Sequence, residues 1–102
     1  MNHKTIELDA ATDITLTSVH AIAFNNMVFI AVEGTTSTAR NAEYQLQITT
    51  VPSEYRPSST VYGVARDGGI SYVLANGVLR VILAKNVEAN GYVNAFLFYP
   101  TA

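Results

Sequence analysis

The stretch Ile70-Ser71-Tyr72-Val73-Leu74-Ala75-Asn76-Gly77-Val78-Leu79-Arg80-Val81-Ile82-Leu83 decides the fold class. Two short apolar runs, 70–75 and 78–83, flank Asn76-Gly77. A type I′ hairpin turn needs φ > 0 at both central residues, and Asn-Gly supplies this readily. The stretch therefore predicts a β-hairpin. In its second arm Leu79, Val81 and Leu83 share one face, while Val78 and Ile82 oppose them around Arg80.

The same signals recur on both sides. Asp67-Gly68-Gly69 turns the chain before this hairpin, and Asn90-Gly91 turns it before the last run. Asn25-Asn26 joins two long apolar runs, and Asn tolerates φ > 0, so a second two-residue hairpin is expected there. Glu43–Thr49 alternates strictly, which places Tyr44, Leu46 and Ile48 inward and Glu43, Gln45, Gln47 and Thr49 outward. Helical periodicity is absent apart from one turn near 38–42. Strands are predicted near 4–8, 14–24, 27–35, 43–49, 60–66, 70–75, 78–83 and 92–99. About eight short antiparallel strands with frequent turns predict an all-β sandwich or jelly roll. It forms one domain over 1–102, with 1–13 as an N-terminal arm or neck remnant.

The last strand is apolar on both sides. Tyr92, Asn94, Phe96 and Phe98 lie on one face, and Val93, Ala95, Leu97 and Tyr99 on the other. A sandwich covers one face of each sheet, so the second face needs another cover. A neighbouring copy of the chain is the cover expected here; the N-terminal segment folding over that face is the rival.

Composition narrows the partners. Charged residues make up 14% of the chain and the net charge is −2, which leaves no basic stripe for nucleic acid. The polar surface must come from Thr, Ser, Asn and Gln, which suits neutral ligands such as sugars or burial against another subunit. With no cysteine, disulfides and thiolate metal sites are excluded. No apolar run approaches the ~18 residues of a spanning helix, so no membrane insertion is expected. The opening MNHKTIELDAATD has no apolar signal core, so no secretory signal is expected.

Between the fourth and fifth strands lies Val51-Pro52-Ser53-Glu54-Tyr55-Arg56-Pro57-Ser58-Ser59-Thr60-Val61-Tyr62-Gly63. The prolines fix φ, remove two donors and extend the residues before them. The segment should be a stiff crossing from one sheet to the other. Tyr55 should pack its ring, and Arg56 should bond loop carbonyls or reach a neighbouring subunit.

This crossing, the DGG turn, the hairpin ISYVLANGVLRVIL, the NGYVN glycine and the closing strand AFLFYPTA together resemble a known family. It is the terminal head, or receptor-binding, domain of phage tail fibre and baseplate proteins. In that family an apolar strand leads into a Pro–aromatic–Arg–Pro crossing, a hairpin follows, and the chain closes on an aromatic strand with Tyr-Pro near its end. VHAIAFNNMVFIAVEG resembles the preceding strand pair, so the likeness covers roughly residues 14–102. It implies a non-enzymatic trimeric β-sandwich on the virion, at the tail tip or baseplate and made in the bacterial cytoplasm. Such a head binds host-surface saccharide and contacts other tail proteins. A structural fibre-assembly module without ligand is the alternative. No sugar-contact residue is carried over from the family.

Catalytic signatures are missing from the sequence. His3 and His20 are its only histidines, and His20 is placed with Ile14, Leu16, Ile22 and Phe24 as a core or interface residue. There is no HExxH, EF-hand loop, phosphate loop or nucleophile elbow, so neither a metal nor a cofactor is expected. A glycosidase needs two carboxylates at ~5 Å or ~6.5–9.5 Å across a sugar, and Glu54 with Asp67 is the one pair considered. Sugars stack on aromatic rings and bond planar polar groups, which selects Tyr62, Arg66, Asp67, Tyr72, Asn76 and Arg80 as ligand candidates. Each has a plainer role: core packing for Tyr62 and Tyr72, turn formation for Asn76 and Asp67, subunit bridging for Arg66 and Arg80.

Overall fold

The computed structural model describes residues 3–102, so the first two residues of the expected arm lie outside the described residues. Its strands are β1 (Lys4–Thr5), β2 (Ile14–Phe24), β3 (Met27–Thr36), β4 (Gln45–Thr50), β5 (Val61–Val64), β6 (Ile70–Val73), β7 (Val78–Ile82) and β8 (Tyr92–Pro100). Each falls on a run that alternation and turn residues predicted. No α-helix forms among the described residues; 3₁₀ turns occupy Ser53–Tyr55 and Arg66–Gly68, and the segment near 38–42 is irregular. No helix is long and apolar enough to cross a membrane among those residues.

All strands pair antiparallel in one curled sheet, in the order β1-β2-β3-β8-β5-β6-β7-β4. The ladder is continuous, but it is thin at one seam. β3 and β8 pair from Met27↔Pro100 to Thr35↔Tyr92, whereas β5 and β8 meet only at Val64↔Phe96. The buried Ser71 reinforces that seam, its Oγ lying 2.9 Å from the Val64 carbonyl and 3.1 Å from the Phe96 carbonyl. At the far edges the sheet rolls almost shut. Ala10 bridges Thr49 of β4, the Ala11 N–H donates to the Ile48 carbonyl at 2.9 Å, and the Thr49 hydroxyl donates to the Asp9 carbonyl. This closure protects the β4 edge from pairing with another chain.

One core fills the concave side. Val28, Ile30 and Val32 of β3 and Val93, Ala95 and Leu97 of β8 come from one half; Leu46 and Ile48 of β4 and Leu79 and Val81 of β7 come from the other. Each buried Val, Leu or Ile contributes about 1.5–3 kcal/mol of transfer free energy. β1 adds to the free edge of β2, and Ile6 and Leu8 turn into this same core. The arm therefore fills the interior and leaves the outer face of β8 open, which removes the intrachain cover considered from sequence.

Two bulges overturn two assignments of face. The β2–β3 register shifts between Leu16 and Ser18, so Ile14 points in while His20 ends exposed on the outer face with Ile22 and Phe24. An extra residue in one strand reverses side-chain parity beyond it, and this moves His20 out of the core. β4 shifts between Gln47 and Thr49, which buries Thr49 beside Ile48. Tyr44 precedes β4 and is exposed rather than inward, with the Arg40 guanidinium 4.3 Å above its ring.

The turns also depart in detail. Asn25 (φ 48°) and Asn26 (φ 63°) form the expected two-residue hairpin. At the other Asn-Gly site only Gly77 has φ > 0, at 91°. Gly77 N–H donates to the Leu74 carbonyl at 2.8 Å and Leu74 N–H to the Val78 carbonyl at 3.0 Å, a three-residue loop ending in a glycine bulge. The φ > 0 pair of a type I′ turn sits instead at Asp67 (φ 60°) and Gly68 (φ 87°).

The Pro-bracketed crossing joins β4 to β5, which belong to the same half of the sheet, so it does not pass between two layers. It runs over the end of the β6–β7 hairpin. Val51 N–H donates to the Gly77 carbonyl at 2.8 Å, and Arg56 Nε–H donates to the Val51 carbonyl at 2.8 Å. The chain changes halves through 37–44 and 83–91, which bridge each other by reciprocal Arg40–Val87 backbone bonds of 2.8 Å.

Candidate functional site

The outer face of the sheet carries the most unusual surface. Cross-strand partners point to the same side of a sheet. The registers therefore align His20, Ala31, Phe96, Val64, Ile70, Ile82 and Gln45 in one row across seven strands. Everything between the terminal His and Gln is apolar. A parallel row sets Ile22, Phe29 and Phe98 side by side. Aromatic rings knit the rows together: Phe24 stacks on Phe98 at 6.4 Å, and Phe29 meets Phe96 at 6.5 Å. Val64 is 64% and Phe98 58% exposed, so water rather than protein covers them in the single chain. A shallow groove of about 300 Å³ runs between Phe29, Tyr62, Val64, Phe96 and Phe98.

The six sequence candidates divide among three places. Tyr62, Tyr72 and Arg80 stand opposite one another on β5, β6 and β7, on this outer face. Tyr62 is exposed, with its ring 6.0 Å from that of Tyr72. Tyr72 is only 7% exposed and its hydroxyl donates to Gln45 Oε1, so it is a buried packing residue rather than a ligand contact. Arg66 and Asp67 occupy the β5–β6 turn. Arg66 Nε lies 3.7 Å from Asp67 Oδ2, and its guanidinium sits 5.7 Å over the exposed Tyr92 ring. The cavity beneath them measures about 30 Å³, room for little more than a water. Asn76 is at the opposite end of β6, where its Oδ1 accepts the Val78 N–H at 3.1 Å as a turn residue.

Glu54 and Asp67 do not meet: Glu54 lies in the crossing beside the β6–β7 end, and Asp67 in the β5–β6 turn. Among the described residues no group of three or more His, Asp or Glu side chains gathers to hold a metal ion.

Sequence reasoning placed Phe96 and Phe98 on this face but missed Ile22, Phe29, Val64 and Ile70 as their neighbours. Part of the signal was available. A two-residue loop at Asn25-Asn26 fixes Phe24↔Met27, and hence Ile22↔Phe29, on the face of Phe24. The insertion of β8 between β3 and β5, which brings Val64 to Phe96, has no local signature. Compared with known proteins, the chain matches no family model and no curated protein.

Proposed function

We propose that this chain is a non-enzymatic receptor-binding head of a phage tail tip or baseplate, recognising saccharide on a bacterial surface as an oligomer of three copies. The observation that carries the reading is the unbroken row Ala31–Phe96–Val64–Ile70–Ile82 on a sheet face that the chain itself leaves open. Soluble monomers rarely expose contiguous apolar surface of this kind. A second copy presents the same uncharged row, and apolar faces of equal character bury each other without stranding a charge. The number three and the saccharide come from the likeness of the Pro-Tyr-Arg-Pro crossing, the hairpin and the closing aromatic strand to phage head domains.

A structural fibre-assembly module without ligand is the second reading. It is favoured by the scatter of the six candidate residues over three places. Binding of the fluorescently labelled chain to a panel of bacterial cells separates the two. The receptor reading expects strain-selective labelling that soluble wall saccharide competes away. Labelling of no strain supports the assembly module.

A further inference from the structure

We propose that the saccharide site is the cleft at the crossing end of the sheet, between the β2–β3 turn, the N-terminal arm and the 3₁₀ turn of the crossing. This rests on the receptor-binding reading and gives its ligand a location that the sequence candidates did not. The cleft measures about 460 Å³, larger than the groove over Phe96 and the cavity under Arg66, and lies within the ~300–1,000 Å³ range of small-molecule sites. Lys4, Phe24, Asn25, Asn26, Glu54 and Tyr55 line it.

The chemistry of that lining fits a neutral sugar. Asn25, Asn26 and Glu54 are exposed, planar hydrogen-bonding groups of the kind that pair with neighbouring hydroxyls. The half-buried Phe24 and Tyr55 offer rings to the C–H face of a pyranose. The lining pairs the Lys4 ammonium with the Glu54 carboxylate, and His3 is its one other basic group, so the cleft has no cluster of fixed positive charge to favour a polyanion.

Its walls are held rigid, which lowers the ordering cost of binding. The type I′ turn holds Asn25 and Asn26 at φ 48° and 63°. The Asn26 carbonyl accepts both the Thr101 N–H at 2.8 Å and the Thr101 hydroxyl at 3.3 Å. On the other wall Tyr55 N–H donates to the Pro52 carbonyl at 3.0 Å, and the Tyr55 carbonyl accepts the Tyr99 hydroxyl at 2.8 Å. The proline-bracketed crossing thereby acquires a role: it presents Glu54 and Tyr55 from a fixed backbone.

The position also suits an oligomer. Phe24 lines the cleft and stacks on Phe98 of the apolar face, so the cleft opens beside the surface that neighbouring copies would cover. Three copies would then display three such sites, and multivalency raises the avidity of a weak one.

The test is an array of bacterial wall and capsule glycans, probed with the labelled full chain and with Asn25→Gly, Glu54→Ala and Asp67→Asn. Glycine keeps the positive φ at position 25, so Asn25→Gly deletes the amide without straining the turn. The wild type is expected to bind a set of neutral glycans. Asn25→Gly and Glu54→Ala should each weaken that binding about tenfold, as expected for one to two lost hydrogen bonds, while Asp67→Asn at the far end leaves it intact. Wild-type binding that survives both cleft substitutions, or that Asp67→Asn alone abolishes, overturns the cleft and leaves the receptor reading standing. Binding of the wild type to no glycan removes the receptor reading, and the cleft with it.

Discussion

The Tyr99 hydroxyl donates to the Tyr55 carbonyl across 2.8 Å, tying the closing strand to the middle of the Pro-bracketed crossing. Tyr99 is 1% exposed, and burial pushes its phenol well above the ordinary tyrosine range. The unfolded chain begins to lose this proton near pH ~10, while the folded chain still holds it. The contribution to stability is thus complete below about pH 10 and is lost as pH rises further. Tyr99→Phe is expected to cost about 1–2 kcal/mol at neutral pH, through the lost bond and the orphaned carbonyl. It should also flatten the alkaline fall in stability. Urea denaturation across a pH series reads both effects.

Gly77 and Gly68 both have positive φ, at 91° and 87°, but only one is crowded. A Cβ at Gly77 would stand 2.5 Å from Arg56 Nε and 2.5 Å from the Val51 carbonyl oxygen, whereas nothing lies within 4 Å of one at Gly68. Gly68→Ala should cost only the backbone strain, about 1–2 kcal/mol. Gly77→Ala must in addition displace Arg56 from the Val51 carbonyl, and about 3 kcal/mol or more is expected. Thermal melts of the two variants side by side give the comparison.

The β5–β8 seam makes a different prediction. With Val64↔Phe96 as its only ladder pair, the seam is reinforced locally by the Ser71 hydroxyl, while the shared core holds the two halves together. Ser71→Ala should lower stability by about 1–2 kcal/mol. Amide exchange should also quicken locally at Val64 and Phe96, while β2 and β3 stay protected.

How much of this was legible follows from which interactions are local. Alternation and Asn/Gly turns located all eight strands, because period and turn chemistry act within a few residues. The bulge between Leu16 and Ser18 was invisible, and it parts His20, expected in the core or at an interface on the face of Ile14 and Leu16, from those two residues and sets it on the exposed outer face. Tyr62 and Tyr72 were read alike, as ligand candidates or core packing, and only the contact of Tyr72 with Gln45, 27 residues away, separates the buried ring from the exposed one. The cleft was equally hidden. Its walls, Asn25-Asn26 and Glu54-Tyr55, are joined through β8, Thr101 and Ala102, contacts that no local pattern announces.

The central claim is that the Phe96–Val64–Ile70 face is covered by other copies of this chain, and sedimentation velocity over a range of concentrations tests it most directly. The expected result is a trimer mass for the wild type that falls to a monomer in Val64→Lys, with the circular dichroism spectrum unchanged because Val64 lies outside the core. A wild-type chain that sediments as a monomer at every concentration would contradict the claim.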